Sequence, residues 1–182
     1  MILKTQRLYL RPVSVADADA LFEARGDGLV MRYWDWPEQP NVQAVRDILA
    51  AHIPELGDGR TLWWVAALTP GGPAIGECDL SDIDHHHRRA ELGFLFARRH
   101  WGQGYAREAM EAVIDHGFGE MGLARLWARF HHGNEASKRL LERLGFAYEG
   151  TLKSHITRDG ARRDCHLYGR LRETWSAAKN GR

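Results

Sequence analysis

Glu91-Leu92-Gly93-Phe94-Leu95-Phe96-Ala97-Arg98-Arg99-His100-Trp101-Gly102-Gln103-Gly104-Tyr105-Ala106-Arg107 packs a strand, a glycine-rich turn and the start of a helix into one run. Leu92, Phe94 and Phe96 alternate with smaller or polar residues, the period of a strand. From Ala106 the period changes. Ala106, Ala109, Met110, Val113, Ile114, Phe118 and Met121 recur at three- and four-residue steps and predict one apolar helix face, with Arg107, Glu108, Glu111 and Asp115 on the other. A helix begins with unpaired N–H groups and a partial positive charge. Gly102 and Gly104 let backbone approach a ligand closely or take positive φ. Arg98, Arg99 and Arg107 add charge beside the turn. A phosphate or pyrophosphate is the natural ligand of such a site. A tight strand-to-helix turn with surface arginines accounts for the same residues without one.

The kind of phosphate site can be narrowed. A P-loop requires Gly-x-x-x-x-Gly-Lys-Ser/Thr, which the chain lacks, and a dinucleotide fingerprint requires a glycine where Arg107 stands. What is present is Arg99-x-x-Gly102-x-Gly104, then Tyr105-Ala106. This resembles the acyl-CoA pyrophosphate loop, Gln/Arg-x-x-Gly-x-Gly/Ala, of the GNAT superfamily of N-acetyltransferases. A second block, Asn134-Glu135-Ala136-Ser137 followed by Leu140-Leu141-Glu142-Arg143-Leu144-Gly145-Phe146, resembles that family's Asn-x-x-Ser…Leu-x-x-Leu-Gly-Phe segment. Ser137, a Gly150-Thr151-Leu152 strand and a Gly160…Asp164…Tyr168 hairpin are most similar to its ribosomal-protein N-terminal acetyltransferase (RimJ/RimL-like) branch. The resemblance implies a single domain over residues 1–172, with a polar tail over 173–182. It also implies a mixed α/β fold: a mostly antiparallel central sheet, flanked by helices and splayed in the middle between the Glu91–Ala97 and Ala124–Phe130 strands.

Composition agrees with an ordinary globular protein. The 182 residues are 44% apolar and 27% charged, enough for one sizeable core. A formal net charge of +1 offers no argument for nucleic acid or an anionic membrane as partner. No apolar run approaches the roughly 20 residues that span a bilayer, and no apolar segment follows Lys4 as a signal peptide requires. Cys78 and Cys165 are far apart, as in a cytoplasmic protein with reduced thiols.

Along the chain, Leu8–Pro12 reads as a strand, Ser14 caps a helix reaching Arg25, and Asn41–Ile53 reads as a second helix stopped by Pro54. Leu62–Leu68 and Ala74–Leu80 read as strands joined by Thr69-Pro70-Gly71-Gly72-Pro73. Asp82–Arg89 reads as a loop, and its His85-His86-His87 run is a solvated turn rather than a metal site, because consecutive histidines cannot all aim at one ion. Asn134 is the expected N-cap of the helix that Gly145 ends. Phe146–Tyr148, Thr151–Ile156 and Arg163–Arg172 complete the strands around an Asp159-Gly160 turn, and Ser176–Arg182 is expected to fray.

The resemblance implies acetyl-CoA as cosubstrate, without a metal, held by Leu95, Phe96, Ala97, Arg99, His100, Trp101, Gly102, Gln103, Gly104, Tyr105, Ala106, Arg107, Asn134 and Ser137. A thioester is already activated, so neither cysteine is needed as a nucleophile. The amine must lose a proton, and the developing oxyanion needs a donor, which the resemblance assigns to a backbone N–H near Leu95–Ala97. The candidate bases are Glu91, Glu77, Asp79 and nearby histidines, with Glu91 first, directly or through water, ahead of Glu77 and Asp79. Many relatives carry a tyrosine where Leu141 stands, so Ser137, one turn earlier, is the hydroxyl left to assist the thiolate. Trp34 and Trp36, around Asp35, together with Glu77 and Asp79 are the expected acceptor-binding residues. Three aromatics around one carboxylate suit a cation. The expected acceptor is a small-molecule or peptide primary amine; a homodimer is left open. The alternatives are a non-catalytic acyl-CoA sensor and a nucleotide- or phosphosugar-binding protein.

Overall fold

A computed structural model describes the backbone of residues 1–180 and the side chains of residues 1–176. Eight strands form one sheet in the order β1-β2-β3-β4-β5-β6-β8-β7. They are β1 (Leu3–Lys4), β2 (Tyr9–Pro12), β3 (Leu62–Ala67), β4 (Ala74–Asp84), β5 (Arg89–Phe96), β6 (Arg125–His131), β7 (Ala147–Arg158) and β8 (Ala161–Leu171). All neighbours run antiparallel except β5 and β6. A parallel pair needs a long crossover, which the Gly turn and the helix α3 (Tyr105–Asp115) supply.

Helix α3 buries Ala109, Met110, Val113 and Ile114. They join Leu80, Leu92 and Phe96 from the sheet, Leu141 from α4 (Glu135–Arg143) and Leu144 at its C-cap, in the largest core cluster. The opposite face of the sheet is covered by α1 (Ala18–Arg25) and α2 (Val42–His52), where Leu21, Val45 and Leu49 pack on Val65 and Ala74. Asn41 caps α2, its side-chain oxygen accepting from the Ala44 N–H at 2.9 Å. Before α1, the Asp17 carboxylate accepts from both the Ser14 N–H and hydroxyl, so the predicted start at Ser14 is a single 3-10 turn that leads into α1.

Three boundaries differ from the sequence reading. Strand β4 runs on to Asp84 through a bulge at Ser81–Asp84, which shortens the expected Asp82–Arg89 loop to the exposed turn at His85–Arg88. The predicted helix to Met121 is α-helical only to Asp115 and widens into a π turn over His116–Glu120, keeping Phe118 buried. Residues 173–180 of the expected tail, together with Arg172 from the expected last strand, form α5 (Arg172–Asn180): Trp175 packs on Phe118 with ring centroids 5.6 Å apart, and its Nε1–H donates to Asp115 at 2.6 Å. An indole with a polar partner is a strong anchor that a polar composition hides. The remainder of the tail, Gly181 and Arg182, lies outside the described residues. Among the described residues no helix is long and apolar enough to cross a membrane.

Candidate active site

Strands β5 and β6 pair only where Arg89–Glu91 lies beside Arg125–Trp127. Past Glu91 each strand keeps its outer neighbour, β4 or β8, and the two diverge. The fork is a cleft of about 240 Å³ lined from both faces of the sheet, with Glu91, Asp79, Arg129 and His131 on the α1 side and Phe94, Ser137 and Leu141 toward α4. Tyr33, Trp34 and Trp36, from the segment after α1, close one end.

Ladder phase decides which backbone groups face the fork. The Ala97 N–H donates to Ile75 O at 3.0 Å. In an antiparallel ladder this makes Phe96–Gly76 a non-hydrogen-bonded pair, Leu95–Glu77 a hydrogen-bonded one and Phe94–Cys78 again non-hydrogen-bonded. The N–H groups of Leu95 and Ala97 are therefore spent on β4, which removes both from the expected oxyanion donors. Those of Phe96, and of Phe94 two residues earlier, point toward the diverging β6.

The carboxylates are unequal. Gly93 sits opposite Asp79, and a Cβ there would collide with the Asp79 carboxylate, so only glycine lets Asp79 lie across β5 into the cleft. Burial, reinforced by the charge of Glu77, pushes the Asp79 carboxyl up to about 6. Burial pushes Glu91 further, to about 7; Arg129 opposes this, while Asp79, Asp82 and Asp35 add to it. The Arg129 Nε lies 3.4 Å from Glu91 Oε1, yet desolvation outweighs that attraction because the guanidinium is shared. Its Nη2 donates to Asp35 Oδ2 at 2.9 Å, and His131 Nε2 lies 2.9 Å from Asp35 Oδ1. Burial works against ionisation of Asp35, but the hydrogen bonds from His131 and Arg129 win and hold its carboxyl down at about 2.

Two acceptor-site expectations change here. Asp35 is committed to Arg129 and His131 and is not an open anion between its tryptophans. Glu77 is 3% exposed and turned toward α1, where Arg25 Nη2 lies 2.8 Å from Oε1 and the Trp63 indole donates to Oε2 at 3.1 Å. It ties helix to sheet and does not line the cleft. Trp34, Trp36 and Asp79 do line it.

The turn beyond β5 takes the shape an anion loop requires. Gly102 and Gly104 have φ of 73° and 82°, and Gly104 is the residue before α3. Glu108 N–H is the donor to Gly104 O that closes the first helical turn, so the N–H groups of Tyr105, Ala106 and Arg107 have no acceptor within the helix. Nothing lies within 4 Å of a Cβ built at Gly102, an open approach to that backbone. The turn is braced by the Trp101 indole donating to Phe96 O at 2.8 Å and by the Gln103 amide donating to Arg99 O at 2.9 Å. Arg99 also donates to His100 Nε2 at 3.0 Å. The neighbouring cations are balanced: Arg98 with Asp27, Arg99 with Glu23 and Arg107 with Glu111. Selective attraction for an anion therefore rests on backbone dipoles more than on net charge.

On the far bank, the Asn134 side chain accepts from Ser137 N–H at 3.1 Å and caps α4, placing Ser137 and, one turn on, buried Leu141 against the cleft. Neither cysteine is placed as a nucleophile: Cys78 is fully buried in the core, its thiol raised well above its ordinary value by burial, and burial raises Cys165 as well.

The family model described as the acetyltransferase (GNAT) domain matches residues 7–147. The chain belongs to the GNAT acetyltransferase family. It is similar to YoaA, an N-acetyltransferase of Bacillus subtilis (strain 168), with 30% identity over 167 residues, covering 92% of this chain and 94% of that one. It is also similar to the spermidine N(1)-acetyltransferase of Escherichia coli (strain K12), with 28% identity over 156 residues, covering 85% and 81%. Among solved structures, a GNAT-family acetyltransferase from Bacillus anthracis superimposes with a TM-score of 0.83 at 26% identity, covering 95% of this chain and 99% of that one. RimL, a ribosomal L7/L12 α-N-protein acetyltransferase solved with coenzyme A, gives 0.83 at 19% identity over 94% and 98%, a likeness of fold. This GNAT chain is an acetyltransferase, and its family uses acetyl-CoA.

Sequence reasoning overlooked Arg129 and His131. The signal was there: Leu126, Ala128 and Phe130 of β6 face the core, so Arg129 and His131 must share the other face, on the bank opposite Glu91.

Proposed function

We propose that this enzyme transfers acetyl from acetyl-CoA directly to a primary amine bound in the fork, with Glu91 as the proton acceptor. The observation that carries the reading is Glu91 itself: a largely buried carboxyl with its pKa raised to about 7, at the point where β5 and β6 part. A base poised near neutrality suits deprotonation of an ammonium at physiological pH.

The cofactor's pyrophosphate is assigned to the Gly102–Arg107 backbone, and its thioester to the fork. The amine nitrogen attacks the acetyl carbon, its proton passes to Glu91 directly or through water, and the carbon–sulfur bond breaks. The Phe96 N–H, with that of Phe94, is the donor for charge developing on the acetyl oxygen. Ser137 is the hydroxyl assigned to the departing thiolate, since Leu141 has none.

Tyr33, Trp34 and Trp36 offer aromatic walls, and Asp79 and Glu91 the negative charge, for a cationic nitrogen. The spermidine acetyltransferase relative and RimL name two kinds of amine, a polyamine and a protein α-amine. Both fit the class proposed. An α-amine, with an ordinary pKa near 8, asks less of the base than an alkylamine near 10. On this reading the chain stands in the RimJ/RimL-like branch. A competition assay with acetyl-CoA, an N-terminal peptide panel, polyamines, aminoglycosides and hydroxyl acceptors tests it. Amide products on one amine class support the proposal. Ester products alone refute it.

A further inference from the structure

Arg7 stands outside every motif that marks the anion loop, yet the fold brings it there. Its backbone N–H donates to Glu108 Oε1 at 2.7 Å and its Nε to Glu108 Oε2 at 2.6 Å. Its Nη1 donates to Gln103 O at 3.0 Å, and its guanidinium lies 4.6 Å from the centre of the Tyr105 ring. Thr5 Oγ1 donates to the same Glu108 Oε1 at 2.6 Å. Burial opposes ionisation of Glu108, but these donors keep its carboxyl below the ordinary range. The segment before β2 is thereby clamped to the first turn of α3 across about a hundred residues of sequence.

The clamp leaves one guanidinium nitrogen over. Among the described residues Arg7 Nη2 has no hydrogen-bond acceptor, and it would lie 3.3 Å from a Cβ built on Gly104. It therefore sits against the glycine at which the N–H groups of α3 become free. All four arginines are exposed, but Arg98 and Arg107 are each held by one carboxylate and Arg99 by a carboxylate and the His100 ring, whereas Arg7 is fixed by carboxylate, carbonyl and aromatic ring together. A guanidinium fixed in this way loses little further freedom when it binds phosphate.

We infer that Arg7 is a phosphate-binding residue of the cofactor site, presenting Nη2 beside Gly104 while Glu108 and Gln103 hold it in place. The inference rests on the loop reading above. It also explains position 104 in two ways: the positive φ requires glycine, and any side chain would press on Arg7.

The test is calorimetric titration of the full chain with CoA and with S-acetylpantetheine, which lacks the phosphates, using wild type, Arg7→Gln, Arg7→Lys and Gly104→Val. Arg7→Gln is expected to weaken CoA at least tenfold, Arg7→Lys to recover part of the loss, and S-acetylpantetheine to bind all the folded Arg7 variants as it binds wild type. CoA affinity should also fall less steeply with salt in Arg7→Gln than in wild type. If Gly104→Val loses CoA while Arg7→Gln stays within twofold of wild type, Arg7 is no ligand though the loop reading stands. If neither loses CoA, the loop reading itself falls. Equal losses for both ligands in Arg7→Gln would make the role purely structural and overturn the inference.

Discussion

Glu91 Oε1 lies 3.4 Å from Arg129 Nε, joining the last β5 residue paired to β6 with a side chain on the opposite bank of the fork. Burial sets the proton affinity of the proposed base, and this contact works against it. With Arg129 shared between Glu91 and Asp35, burial prevails and Glu91 titrates near neutrality.

Asp35→Asn should therefore shift activity toward acid. It removes a competitor for Arg129 and a negative charge that raises Glu91, so the acidic limb of the pH–rate profile moves to lower pH. The same substitution should cost about 2 kcal/mol at pH 7, because Arg129 and His131 lose a charged partner. The sign of the linkage is definite: Asp35 is depressed in the folded state, so its stabilisation is full above pH 4 and disappears as pH falls toward 2. Thermal melts of both proteins from pH 7 to pH 2 measure the difference, which should shrink along that series.

Gly104→Val should weaken CoA at least tenfold, about 1.4 kcal/mol, by forcing a β-branched residue to φ 82° and crowding Arg7. Titration of a variant whose circular dichroism matches wild type measures it. Unchanged affinity would remove the loop from the cofactor site.

The loop was legible in the sequence because glycine spacing and a change of period are local signals. The fork was less so. Its existence came from resemblance, and its content depends on which residues face each other across strands far apart in sequence. Glu77 and Asp79 share a face, but Arg25 from α1 claims Glu77, while the missing Cβ of Gly93 opens the cleft to Asp79. Asp35 between two tryptophans reads as an anion awaiting a cation; its partners are the Arg129 guanidinium and the His131 ring, almost a hundred residues later. Arg7 is hidden for the same reason.

Transfer should leave no acetyl-enzyme. Both thiols are buried with raised pKa, so mass spectrometry after incubation with acetyl-CoA and no amine should show unmodified chain. An acetyl adduct on Cys78 or Cys165 would contradict direct transfer.

Ser137→Ala should lower kcat about tenfold with little change in the KM of the amine, because the hydroxyl is assigned to the departing sulfur. Steady-state kinetics at saturating acetyl-CoA measures both. Unchanged kcat would leave Ser137 with only its position next to the cap of α4.

The most direct test of the central claim is the pH dependence of kcat/KM for Glu91→Gln beside wild type, using an accepted amine. Wild type should lose activity on the acid side with an apparent pKa of about 7, the value burial gives Glu91. Glu91→Gln should be slower by about a hundredfold or more and should lose that acidic limb. A Glu91→Gln enzyme with full activity and the same limb would show that the proton leaves by another route.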